Sequence, residues 1–173
     1  MKVVFDAGPL ITACKFKVGE KLVIDHLLTG CRVLIPPSVE EEVAVLGARY
    51  PDGVAAGERI ADDRIHVISV NAYRWERHLL GYALGDGERD SIELCVQEPE
   101  VQALVTDDHL AFVVAARLGL TVWMLPDLVV ELANRRVLTG EMAIAILEAI
   151  RPRYRAGVIE YSIEKLREVD GDA

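Results

Sequence analysis

Cysteine is scarce: the 173 residues hold Cys14, Cys31 and Cys95, an odd number without C-x-x-C spacing. This excludes a disulfide framework and reads as buried free thiols of a reducing compartment. His26, His66, His78 and His109 form no H-x-x-x-H pair, so no zinc chemistry is expected. Basic residues are outnumbered, 19 against 28 acidic ones, for a net charge of −9. A general field that draws the chain to nucleic acid or anionic lipid is thereby excluded, and any polyanion must be met by a local basic patch or by bound metal. Long apolar runs are missing too. MKVVFDAGPL is broken at Asp6, Gly8 and Pro9, and no other run reaches the ~20 residues of a membrane span. Repeats, Ser- or Gly-rich linkers and low-complexity segments are absent, so the expectation is a cytoplasmic protein without a membrane partner.

What is present is enough apolar material for one sizeable core, 51% of residues with a mean hydropathy of +0.23. Short β-branched runs at 3–5, 32–35, 65–70, 103–106 and 121–124 alternate with stretches of helical period at 9–16, 20–28, 38–48, 54–61, 73–82, 88–97 and 109–118. That alternation predicts a parallel sheet with helices on its faces. Two further amphipathic helices are predicted at 126–135 and 139–150. The organisation expected is one domain over 1–150 and a C-terminal helical extension over 151–173, with a short helix ending at Glu168.

The acids fall at telling places. Asp6 follows the first strand, and Asp107 and Asp108 follow the fourth, at the carboxyl ends where open α/β sheets place ligands. Each is also a natural helix N-cap. In IPPSVEEEV, Ser38 and Glu41 have capping-box spacing, which gives Glu41 a structural task. Val39, Val43 and Leu46 make one helical stripe; Glu42 borders it, and Glu40 lies farther round. In LGDGERDSIELC, Asp86 is the expected cap. Glu88 stands on the stripe of Ile92, Cys95 and Val96, and Asp90 projects to the other side. GDG falls short of G-x-G-x-x-G, so a dinucleotide site is not supported.

Asp6, Glu42, Glu88 and Asp108 come from four separate segments, and gathering them without counter-charge is costly. A divalent cation supplies that charge. Hard oxygen ligands without His or Cys suit Mg²⁺ or Mn²⁺. Two such ions ~3.5–4 Å apart can activate water and stabilise a leaving oxygen in phosphodiester cleavage. An empty cluster of this kind should show raised carboxylate pKa values. A phospho-acceptor receiver domain would also want clustered Asp, but the lysines stand only at 2, 15, 17, 21 and 165, with none after a late strand to complete it.

The pieces VVFDAGPLI, IPPSVEEEV, LGDGERDSIELC and LVTDDHLAFVVAARLGLTV, in this order over residues 2 to 123, resemble the PIN-domain family of ribonucleases. The resemblance implies a three-layer α/β/α sandwich with a central, mainly parallel sheet and C-terminal helices. It implies a Mg²⁺- or Mn²⁺-dependent endoribonuclease, with one or two ions, that cleaves single-stranded RNA and leaves a 3′-hydroxyl and a 5′-phosphate. It also implies, as for many small prokaryotic members, a toxin held by an antitoxin protein and a homodimer. Carried over by position, Asp6, Glu42, Glu88 and Asp108 become the catalytic metal ligands. Asp90 and Asp107 become auxiliary residues, Asp107 as cap or support. Thr106 is either a partner for the metal-binding carboxylates or an ordinary strand-end hydroxyl. The chain departs from the family pattern at His109 and Phe112, where arginines are usual, and at Met124 and Leu125, where Gly-Thr is usual. The alternative is a PIN-like module without turnover that binds RNA or a protein partner.

Overall fold

The structure, a computed structural model, describes residues 1–71 and 74–171. Strand β1 (Lys2–Phe5) leads into α1 (Ala7–Lys15), a small hairpin of β2 (Lys17–Val18) and β3 (Lys21–Leu22), and α2 (Val23–Leu27). Then come β4 (Arg32–Ile35), α3 (Pro37–Glu40), a π-helical turn (Glu41–Val45), a 3-10 turn (Leu46–Arg49), α4 (Pro51–Ala61) and β5 (Ile65–Val67). The second half runs α5 (Glu76–Leu79), α6 (Asp86–Gln97), β6 (Ala103–Val105), α7 (His109–Arg117), β7 (Val122–Trp123), α8 (Leu125–Asn134) and α9 (Gly140–Ile150). A 3-10 turn (Arg151–Arg153) and α10 (Ala156–Gly171) complete it. The predicted helix at 73–82 starts on Tyr73, which lies outside the described residues.

Five strands form one parallel sheet in the order β5-β4-β1-β6-β7. Both faces are covered, which is why the strands read as near-continuous apolar runs. Alternate side chains divide between the two layers. Val3, Phe5, Val33, Ile35 and Val105 join α1, α2, α4, α8, α9 and α10 in the larger core. Val4, Leu34 and Leu104 face α5, α6 and α7. The chain is therefore a three-layer α/β/α sandwich. The sheet order reverses at β1 and β6, so the carboxyl ends of these adjacent strands bound a crevice of the kind that binds ligands. The C-terminal helix is part of the body of the fold, with Ile159, Ile163 and Leu166 buried in the larger core. It runs past Glu168 to Gly171.

Two predicted helices are built differently. Gly19, at φ +60°, turns the chain between β2 and β3, so only Val23–Leu27 of the expected 20–28 helix forms. The 38–48 helix starts on Pro37, with Pro36 as cap, which places Ser38 inside the first turn and frees its hydroxyl from any capping box. The π turn then shifts the helical register. Val39 and Val43 stay buried, whereas Leu46, expected on the same stripe, is 65% exposed.

The segment after the π turn lies backbone to backbone on α4. A Cβ added at Gly53 would stand 2.1 Å from the Gly47 carbonyl oxygen, so only glycine allows this approach. Gly57, on the same helix, has room: an added Cβ there meets the Ala44 Cβ at 3.9 Å. Gly53→Ala should lower stability by about 2–3 kcal/mol in urea titrations. Gly57→Ala should raise it by about 0.5–1 kcal/mol. Equal effects would contradict the close approach.

Candidate active site

Asp6 caps α1 directly off the end of β1. Its Oδ1 accepts the Ala7 N–H at 2.8 Å, its Oδ2 accepts the Thr106 hydroxyl at 2.8 Å, and only 6% of the residue is exposed. Thr106, fully buried at the end of β6, also accepts the Asp108 N–H at 3.2 Å. One hydroxyl thus ties together the acids of two neighbouring strands. Asp108 caps α7, its Oδ1 accepting the Ala111 N–H at 2.8 Å. Glu88 reaches back from the first turn of α6 so that its Oε2 accepts the Gly85 N–H at 2.8 Å. Each of these three carboxylates therefore closes the start of its own helix, where orphan amides and the helix dipole both favour an anion.

Glu42 approaches from the π turn. It is exposed overall, yet its carboxylate faces the others across Gly87. A Cβ added at Gly87 would stand 3.7 Å from Glu42 Oε2 and 3.9 Å from Asp6 Oδ1. Asp6, Glu42, Glu88 and Asp108 line one cavity of about 240 Å³, completed by Ala7, Gly8, Gly85, Asp86 and Gly87. No lysine or arginine lines it among the described residues. Asp86, expected only as a helix cap, is an additional acidic wall; Gly85 takes the cap position, and Asp86 pairs with Arg89 at 2.6 Å. The two glycines flanking Asp86 were the signal for a close approach there.

The auxiliary acids lie elsewhere. Asp107 turns away from this cavity, and its Oδ2 accepts the Tyr154 hydroxyl at 2.6 Å, so Asp108 and not Asp107 is the helix cap. Asp90 accepts the Ser38 hydroxyl at 2.7 Å and fastens α6 to α3.

The electrostatics register the crowding. Burial, helped by the charges of Glu42 and Asp108, pushes Asp6 above the usual carboxylate range against the hydrogen bonds from Thr106 and Ala7. Burial also raises Glu88, with Asp108 and Asp6 adding to it and the Gly85 amide opposing. Asp107 is raised by burial against the bond from Tyr154. Among the described residues no three His, Cys, Asp or Glu side chains stand close enough to hold a bare ion between them. The donor set still fits a hydrated one. Mg²⁺ keeps several waters and binds through few carboxylates, and a carboxylate oxygen that accepts one amide retains a second lone pair.

A parallel α/β sandwich with carboxylates gathered at its carboxyl edge defines the class of protein, an open α/β fold with an acidic cavity where such sheets place ligands. More specifically, the chain belongs to the PIN-domain family, since the model of the family DUF3368, described as a PIN domain, matches residues 2–168. PIN domains are generally nucleases. Among solved structures the chain is similar to a domain of a functionally unknown protein from Methanocaldococcus jannaschii DSM 2661, at a TM-score of 0.43 and 17% identity, over 71% of this chain and 89% of that one. No curated protein matches it.

A carboxylate whose pKa is raised by folding favours the native state below its unfolded value, and that contribution is lost as pH rises through the folded value. Glu88→Gln keeps an acceptor for Gly85 and removes the charge. It should raise Tm by about 2 °C at neutral pH, and the gain should vanish below the ordinary value of 4.5. A gain independent of pH would contradict the repulsion. Thr106→Val, which leaves the Asp108 amide and an Asp6 oxygen without their partner, should cost about 1–3 kcal/mol in urea unfolding. Thr106→Ser should restore most of it.

Proposed function

We propose that the chain is a Mg²⁺- or Mn²⁺-dependent endoribonuclease that cleaves single-stranded RNA by water attack on the phosphodiester. The observation that carries this reading is the convergence of Asp6, Glu42, Glu88 and Asp108, from four separate segments, on one cavity at the carboxyl edge of the sheet. These four would hold the metal, which when bound lowers the pKa of water and neutralises charge on the phosphate.

The chain's own part is orientation. Asp6, Glu88 and Asp108 are each pinned by a backbone amide, and Asp6 by Thr106 as well, so little rotamer freedom is left to lose when substrate arrives. Glu42 makes no hydrogen bond or ion pair among the described residues. It is the carboxylate free to reorient when the ion and its waters bind. The walls offer an RNA phosphate no cation of their own, which makes binding at this point depend on the divalent ion.

Purified protein should cleave a labelled single-stranded RNA with Mn²⁺ and stop on chelation. Asp6→Asn, Glu42→Gln and Asp108→Asn should each lower kcat by about 100-fold or more without loss of fold by circular dichroism. Unchanged cleavage in all three variants overturns the reading. As the toxin of a toxin–antitoxin pair, the chain would arrest growth when expressed alone, and Asp6→Asn would not.

A further inference from the structure

Beside the carboxylate cavity, and sharing Asp108 with it, lies a second and larger groove of about 730 Å³. Its character is opposite. Phe112, Val113 and Met124 supply its apolar lining, and the exposed His109 and Arg155, the buried Thr106 and the half-buried Asp107 line it with them. The volume is in the range of sites that enclose a small organic group. We propose that this groove is a nucleobase subsite: the base next to the cleaved phosphodiester stacks on Phe112, and Arg155 receives the following phosphate. The proposal rests on reading the carboxylate cavity as the place of cleavage.

Three observations support it. First, the Phe112 N–H donates to the Asp108 carbonyl at 3.0 Å, so the two residues stand one helical turn apart on the same face of α7. A chain whose phosphate lies at Asp108 therefore carries its base along α7 to Phe112. Secondly, Arg155 makes no ion pair with any described residue, although the chain carries an excess of acids. The residue before it is held to the end of β6 by the Tyr154–Asp107 bond of 2.6 Å. An exposed cation without an ion-pair partner among the described residues, beside an apolar wall, complements the two parts of a nucleotide, a flat ring and a phosphate. Thirdly, the apolar wall abuts an acidic cavity. A protein partner's apolar side chain would gain nothing from that neighbour, whereas a nucleotide bridges the two environments by its own chemistry. The groove accepts a base only when that base is unstacked, which selects single strands over duplex.

Equilibrium binding separates this proposal from the nuclease reading. The probe is a fluorescein-labelled single-stranded RNA oligonucleotide, followed by fluorescence anisotropy in Ca²⁺ and by cleavage in Mn²⁺. Phe112→Ala should weaken binding by about tenfold and raise KM with kcat little changed, and Phe112→Trp should restore it. Arg155→Ala, an exposed change, should weaken binding and reduce the salt slope by about 0.7. An oligonucleotide with an abasic site beside the cleavage position should bind wild type as weakly as the intact one binds Phe112→Ala. Tight binding that depends on Phe112 and Arg155 but gives no cleavage upholds the groove and overturns the nuclease. Cleavage with binding indifferent to both residues and to the abasic site overturns the groove alone. No binding by wild type overturns both.

Discussion

The hydroxyl of Thr106 donates to Asp6 across two adjacent parallel strands and accepts the amide of Asp108 on the way into α7. Much of the site depends on this one buried group. Parallel pairing of β1 and β6 brings their carboxyl ends side by side, and with them the acids that follow each strand. Left to themselves such carboxylates repel, and burial worsens the penalty by removing the water that would screen them. Thr106 and the amides of Ala7, Ala111 and Gly85 supply donors to the charged forms. The result is a cluster that is oriented but disfavoured in its charged form, by burial first and by neighbouring acids second, which raises the pKa values of Asp6 and Glu88.

Helix capping and the gathering of carboxylates are here parts of one arrangement. Asp6, Glu88 and Asp108 each close the start of a helix, a task worth typically ~1 kcal/mol. The same three residues line the cavity. Stability is opposed here first by burial of the carboxylates and then by their mutual repulsion. Glu42 differs, because it arrives from the π turn and caps nothing.

The C-terminal region completes the neighbourhood. Tyr154, between α9 and α10, reaches the end of β6 through Asp107, and α10 is buried against α8 and α9. These contacts set an apolar groove next to a carboxylate cavity, with Asp108 common to both. Two environments of opposite character meet at one residue.

Much of this was legible in the chain because its causes are local. A β-branched run ending in Asp, followed by a helical period, places an acid at a strand's carboxyl end whatever surrounds it, so Asp6 and the Asp107–Asp108 pair could be located directly. Glu88 was legible from its place on the stripe of α6. The sequence by itself determined the alternation of strands and helices, the two buried faces of the sheet and the acids at its edge, since these follow from side-chain periodicity and local capping. The tertiary structure decided what depends on distant partners. Tyr154 takes Asp107 from 47 residues away and leaves the cap to Asp108. Asp90 draws Ser38 out of a capping box. The close packing of Gly47 on Gly53 accompanies a π turn that turns Leu46 out to solvent. Hydrogen bonds and close approaches between residues remote in sequence leave no period to read, and only the folded chain brings them together.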